Sequence, residues 1–268
     1  MHTVRREDTF GRDTTQRVGA DSRGEVSVMR EFHLGDCMEG MKRYPDKFFD
    51  LAIVDPPYGI GADKAQNKAA EQRERANGKS KAGRGWKRYK ETDWDSAIPQ
   101  AEYWDELMRV SKNQIVWGGN YFTEYLPPSM GWIVWNKMQR DFSLADGEMA
   151  WTSFDSAMRM FDMSRGESLA LNNSTGGRFH PTQKPVKLYK WLLQNYAKQG
   201  DKILDTHVGS ASSLIACHQM GFDYVGFEID PDYYKAACER LAKVQAQQTI
   251  FDLPTEQIEK QTLFDVCK

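Results

Sequence analysis

The sequence predicts an α/β protein built on a doubly wound, mostly parallel sheet. Three observations carry this. Between about residues 29 and 245, short runs rich in β-branched and aromatic residues alternate with segments of helical apolar spacing. That alternation marks βα units, whose parallel strands are covered on both faces. The strands read as continuous apolar runs, Leu51-Ala52-Ile53-Val54 being the clearest, as doubly buried strands do. Finally, Asp55, Asp205 and Glu228 stand at or just past the carboxyl ends of such runs, where open α/β sheets bind ligands.

Taken in order, 29–34 reads as a strand, 37–44 as a short helix, and 49–54 as a strand stopped by Asp55-Pro56-Pro57-Tyr58. Residues 100–110 have helical spacing, and 114–120 and 131–137 are β-branched and aromatic runs closed by Gly or Asn. A helix over 184–198, a strand over 202–204, a helix over 210–220, a strand over 224–228 and a helix over 231–244 complete the series. Residues 1–28 are polar and aperiodic and read as a mobile arm, with Met29 an attractive start for the domain at 29–245 and a tail at 246–268. Two stretches break the rhythm. Residues 61–90 hold ten Lys/Arg against three Asp/Glu and four glycines, a long basic loop of the kind that is usually functional or disordered. Residues 151–179 are a second irregular region.

Bulk properties exclude more than they assign. Of the 268 residues 28% are charged, yet the net charge is only −2, so any nucleic-acid reading must rest on local clusters. The four cysteines show no C-x-x-C spacing and the five histidines no ligand spacing, so neither a metal site nor a disulfide framework is expected. No long apolar run or signal peptide stands out, which predicts a cytoplasmic protein without membrane contact.

Two motifs carry chemistry. In Asp55-Pro56-Pro57-Tyr58 the prolines fix the backbone so that a carboxylate and a carbonyl are held together beside an aromatic face. Such a pair suits a planar ring bearing an amino group, although a Pro-Pro turn with a surface tyrosine accounts for the same residues. In "LDTHVGSAS" (204–212) a strand ends at Asp205 and turns at Gly209 into a helix, a place where backbone N–H groups meet a ligand closely. Glu228 follows about twenty positions later, as an acid that takes a ribose diol does.

These residues resemble the β-class of DNA amino-methyltransferases. D-P-P-Y is similar to that family's catalytic motif, "LDTHVGSAS" to its AdoMet turn, "FHPTQKP" (179–185) to its H-P-T-x-K-P motif and "HLGDCMEGM" (33–41) to its G-D segment. Thr206, His207 and Ala211 depart from the family's usual Pro, Phe and Gly; His207 is expected to pack at the turn, and D-T-H resembles phage-associated members. The catalytic motif precedes the cofactor turn, the circularly permuted order of the class. The resemblance implies a Rossmann-like AdoMet-dependent methyltransferase fold. It implies that Asp205 faces the methionine amine, Glu228 the ribose and Asp36 the adenine edge. Thr182 and Lys184 would support the methionine end, with Cys37, His180, Gly209, Ser210 and Asp230 completing the wall. The reaction implied is methylation of the N6 amino group of adenine in double-stranded DNA after base flipping, with N4 of cytosine as the alternative. A non-enzymatic DNA-binding module of the same fold is the rival from another class.

The basic loop (61–92) supplies Arg73, Arg75, Lys79, Lys81, Arg84, Lys87 and Arg88 for phosphate or groove contacts, with a solvated linker as the alternative. Residues 151–179, with Arg159, Arg165 and Arg178, are the candidate target-recognition region. The family resemblance also raises a homodimer. Gln247-Gln248-Thr249-Ile250-Phe251 is similar to peptides that dock on sliding clamps, although packing of Ile250 and Phe251 on their own domain is the simpler expectation.

Overall fold

Eight strands form one sheet in the order β1-β8-β7-β2-β3-β5-β4-β6. They are β1 (Arg30–Leu34), β2 (Phe49–Val54), β3 (Ser111–Trp117), β4 (Trp132–Asn136), β5 (Gly147–Thr152), β6 (Arg159–Asp162), β7 (Lys202–Asp205) and β8 (Asp223–Glu228). This computed structural model describes residues 28–61, 64, 67–68, 71, 95–140, 145–174 and 177–247. The seven basic-loop cations, residues 1–27 and residues 248–268, including most of the clamp-like peptide, lie outside the described residues.

The first five strands of that order run parallel, whereas β5 is antiparallel to both β3 and β4. Six helices accompany them among the described residues: α1 (Cys37–Met41), α2 (Ala101–Val110), α3 (Arg165–Ser174), α4 (Val186–Tyr196), α5 (Ser212–Met220) and α6 (Pro231–Gln245). Alternate side chains of the buried strands feed two cores. Leu51, Ile53, Ile115 and Trp117 meet α4, α5 and α6 on one face, through Leu188, Leu192, Ile215 and Leu241. Phe49, Ala52, Val54 and Val116 meet α1 and α2 on the other, through Met41, Trp104 and Leu107. This is the two-sided burial that the uninterrupted apolar runs predicted. Among the described residues no helix is long and apolar enough to cross a membrane.

Where sequence and structure differ, local causes are visible. The first helix ends at Met41 rather than near 44, because Lys42 and Arg43 close a turn onto Met38 and Gly40 ahead of Pro45. The region 151–179 is more regular than expected: it completes β5 and contains β6 and α3. Its strands were obscured because β6 is four residues long and keeps only Phe161 buried. Arg178 is drawn into the neighbouring turn, donating to the Pro181 carbonyl.

Candidate active site

The strand order places four carboxylates side by side. β1, β8, β7 and β2 are neighbours, and Asp36, Glu228, Asp205 and Asp55 lie at or within two residues of their carboxyl ends. Asp36, Glu228 and Asp55 line one cavity of about 300 Å³, together with Cys37, Pro57, His180, Thr182, Lys184, Gly209, Ser210 and Asp230. Of the expected catalytic and cofactor residues, Pro56, Tyr58 and the buried Asp205 lie outside that lining. His207 does more than pack: it meets the Tyr103 ring edge-on at 5.5 Å and also lines the cavity.

The cofactor-side turn is held by backbone donors. Glu228 accepts from Gly209 N at 2.7 Å and Asp230 N at 2.9 Å, and Asp36 caps α1 by accepting from Met38 N at 2.8 Å. Gly209 has φ +54°, and a Cβ there would press on the His180 ring at 3.3 Å. Two positions on, Ala211 adopts φ 60° without being glycine, a conformation costing about 1–2 kcal/mol for an L-residue. The departure from the family's glycine is therefore strained rather than avoided. Arg240, buried on α6, donates to the Ser210 carbonyl at 2.7 Å and to Ser212 Oγ at 2.9 Å, clamping the turn from behind.

Charge at this edge is unusual. Asp205 accepts from His207 N at 3.0 Å and from the Ser213 hydroxyl. Burial nevertheless outweighs these bonds and, helped by Asp55 and Glu228, raises its carboxyl from 3.8 to about 7. Burial also raises Glu228. Burial holds His180 neutral, its value lowered to about 3, and lowers His207 to about 4. Cys37 is pushed to about 12 by burial and by Asp36, so it is no thiolate nucleophile.

The D-P-P-Y turn is pinned by a residue the sequence did not flag. Asp95, 2% exposed, accepts from Tyr58 N at 2.7 Å and Gly59 N at 2.9 Å. Asp55 receives two donors: the Tyr58 hydroxyl on Oδ1 at 2.6 Å and Lys184 Nζ on Oδ2 at 2.5 Å. Lys184, expected at the methionine end, thus has its ammonium on the catalytic motif, where it also meets Glu148 at 3.3 Å. The Tyr58 ring is stacked on Tyr121, centroids 4.9 Å apart and 15° from parallel. Gly118, at φ +69°, lies so close that a Cβ would fall 2.2 Å from that ring. Glu148, Asp95, Tyr121 and Arg240 were all missed, and none belongs to a contiguous motif.

A parallel sheet with a glycine turn and an acid at adjacent strand ends, facing D-P-P-Y across one cavity, defines a Rossmann-like methyltransferase. The DNA methylase family model matches residues 87–239, and the chain belongs to this N6/N4 family of AdoMet-dependent DNA methyltransferases. It is 26% identical over 220 residues to YubD of Escherichia coli K12, whose name marks it only as a proposed methylase, covering 81% of this chain and 92% of that protein. It is 25% identical over 256 residues to the Type II methyltransferase M.HinfI of Haemophilus influenzae, covering 79% and 68%. Among solved structures, the cytosine-N4-specific PvuII DNA methyltransferase superposes with a TM-score of 0.50 at 13% identity, over 85% of this chain and 89% of that one, a likeness of fold.

Proposed function

We propose that the chain methylates the N6 amino group of adenine in double-stranded DNA. The observation that carries this reading is the cavity itself: its acidic edge meets a D-P-P-Y motif whose carboxylate already holds amine and hydroxyl donors. Four carboxylates, Asp36, Asp55, Glu228 and Asp230, line it beside one lysine. That donor set fits a ligand carrying both an ammonium and a diol, as AdoMet does. AdoMet supplies an electrophilic methyl group on a cationic sulfur.

The chain's residues do the rest. Glu228 takes the diol, Asp205 the amine and Asp36 the adenine edge, while Gly209 lets the turn approach closely. The basic-loop cations hold phosphates, and the target base leaves the stack at a cost of about a few kcal/mol. Stacking on Tyr58 returns roughly 1–3 kcal/mol. The ring of Tyr121 must give way for it, by opening outward from its 43%-exposed position. Asp55 and the Pro56 carbonyl accept hydrogen bonds from the amino group and aim its lone pair. Bound AdoMet would supply the methyl carbon to that nitrogen, its carbon–sulfur electron pair leaving on sulfur, and the nitrogen's surplus proton would pass by way of Asp55 to solvent. Placement and electrostatics supply the rate, and no covalent enzyme intermediate is involved.

Nucleoside mass spectrometry on DNA incubated with the protein and AdoMet tests this. N6-methyladenine is expected, falling by about 10²–10³-fold in Asp55→Ala. N4-methylcytosine would keep the mechanism and overturn the base. No methylated base on any DNA, with AdoMet demonstrably bound, would overturn the activity.

A further inference from the structure

The resting site presents a problem that the reaction must solve. Asp55 is to accept the target amine, yet Lys184 Nζ sits 2.5 Å from its Oδ2. The attacking nitrogen becomes cationic as it is methylated, and a lysine ammonium against the same carboxylate opposes that charge. A low-dielectric site magnifies the conflict. The Lys184 side chain is 2% exposed, so water does not screen it.

Glu148 offers a second seat for the ammonium. Its Oε2 lies 3.3 Å from Lys184 Nζ, while its Oε1 is held by Lys137 Nζ at 2.6 Å. Despite burial, these two lysines keep the Glu148 carboxyl low, at about 2, so it remains charged. The path between the seats is short and passes over an aromatic surface: Lys184 Nζ is 5.1 Å from the Trp117 ring and 5.8 Å from the Tyr58 ring. Lysine suits such a move, being a compact charge on a flexible stem with three donors. The antiparallel run of β5 makes this contact, because it brings the strand's beginning to the edge where the parallel strands end.

We propose that Glu148 is a positioning residue for methyl transfer: it draws the Lys184 ammonium off Asp55 when the target amine arrives. Asp55 then accepts from the amine alone, and the lysine's charge is balanced by Glu148 while the nitrogen turns cationic. The proposal rests on the DNA amino-methyltransferase reading. A purely structural ion cluster would not need the asymmetry observed, with the ammonium tight on Asp55 and loose on a partner that is itself anchored.

The test uses the full chain with Glu148→Gln, which keeps the shape and removes the charge. Single-turnover methylation is measured from pH 5 to pH 9, alongside AdoMet affinity and thermal unfolding. Besides Glu148 and Lys184, the titratable groups around Asp55 are Tyr58, Lys137, Tyr189, Asp205 and His180, and all are retained in the variant. The plateau rate is expected to fall about 30–300-fold, at and somewhat below the lower end of the roughly 10²–10³-fold range for losing one preorganised electrostatic group that touches the reacting atoms, with AdoMet affinity within about twofold. Glu148 raises the Asp55 carboxyl, so the acid limb of the profile should move to lower pH in the variant. A defect of packing alone would leave that limb in place. Glu148→Asp keeps the charge and should recover much of the rate; it also serves if the glutamine variant fails to fold. A plateau within about threefold of wild type, an unmoved acid limb, or an affinity loss matching the rate loss would overturn the proposal. An inactive wild type that binds AdoMet would overturn the methyltransferase reading, and this proposal with it. An active wild type with a fully active Glu148→Gln defeats the proposal alone.

Discussion

The two halves of the sheet solve different problems. In the half formed by β1, β8, β7, β2 and β3, every strand runs the same way and helices cover both faces. In the half formed by β5, β4 and β6, the direction is mixed: β5 runs against β4, while β4 and β6 run together. Ile133, Trp135, Ala150 and Phe161 face one core there, but on the opposite face Met149 and Met160 stay 40% and 53% exposed. Parallel strands deliver only their carboxyl ends to one edge, and here that edge collects acids. The reversed strand delivers its beginning to the same edge, bringing Glu148 within reach of the site's lysine. The uniform half thus supplies the acids at the cavity's edge, and the mixed half supplies the carboxylate that meets the site's lysine.

The largest effect expected from this division is on AdoMet. Glu228→Ala removes the carboxylate proposed for the ribose and the acceptor of Gly209 N and Asp230 N. Losing charged hydrogen bonds of about 1.5–3 kcal/mol should weaken AdoMet binding by about 10–100-fold in calorimetry. DNA affinity measured without AdoMet should change by less than about twofold. An equal loss of DNA binding would break the division.

The uniform half was also the legible one. Its strands are apolar runs bounded by acids or turn residues, and its chemistry lies in short contiguous motifs, so Asp55, Asp205, Gly209 and Glu228 could be placed beforehand. The mixed half hid β5, β6 and α3 because a strand with one open face need not carry a continuous apolar signal. Met149 on β5 and Met160 on β6 sit on that open face. Glu148 was illegible for a different reason: its role depends on strand direction and on a lysine 36 residues away in sequence. Asp95 is similar, reaching Tyr58 from 37 residues along the chain. Even Lys184, placed by its motif, was assigned to the cofactor end although its ammonium lies on Asp55.

A smaller effect, with a definite sign, is expected for Asp205. Folding raises its carboxyl from 3.8 to about 7, so the folded chain holds the proton more tightly than the unfolded one. Its contribution is therefore most favourable below about pH 4, and stability falls as pH rises towards 7, where the slope ends. Asp205→Asn cannot ionise and should lack this slope. Its melting temperature relative to wild type should climb by a few degrees between pH 5 and pH 8 in the absence of AdoMet. Saturating AdoMet should narrow the gap, because the proposed amine partner favours ionised Asp205 in wild type. A gap independent of pH would mean that the acidic edge carries no charge strain, and the contrast between the halves would lose its electrostatic part.

The smallest effect is expected at the open face. Met160 lies beside Val134 on β6, opposite in direction to the buried Phe161, and solvent already reaches half of it. Met160→Lys should cost less than about 0.5 kcal/mol in urea unfolding, the usual range for surface substitutions, and leave the methylation rate unchanged. The result is informative because the alternative is large. Were this face covered in solution, the lysine would bury an unpaired charge, and the loss would reach several kcal/mol. The unfolding midpoint would then also depend on protein concentration if the cover were a second chain, and would not if it were another part of the same one. A near-silent Met160→Lys, beside a damaging Glu148→Gln, would show that the mixed half matters to the reaction through Glu148, which meets the site's lysine.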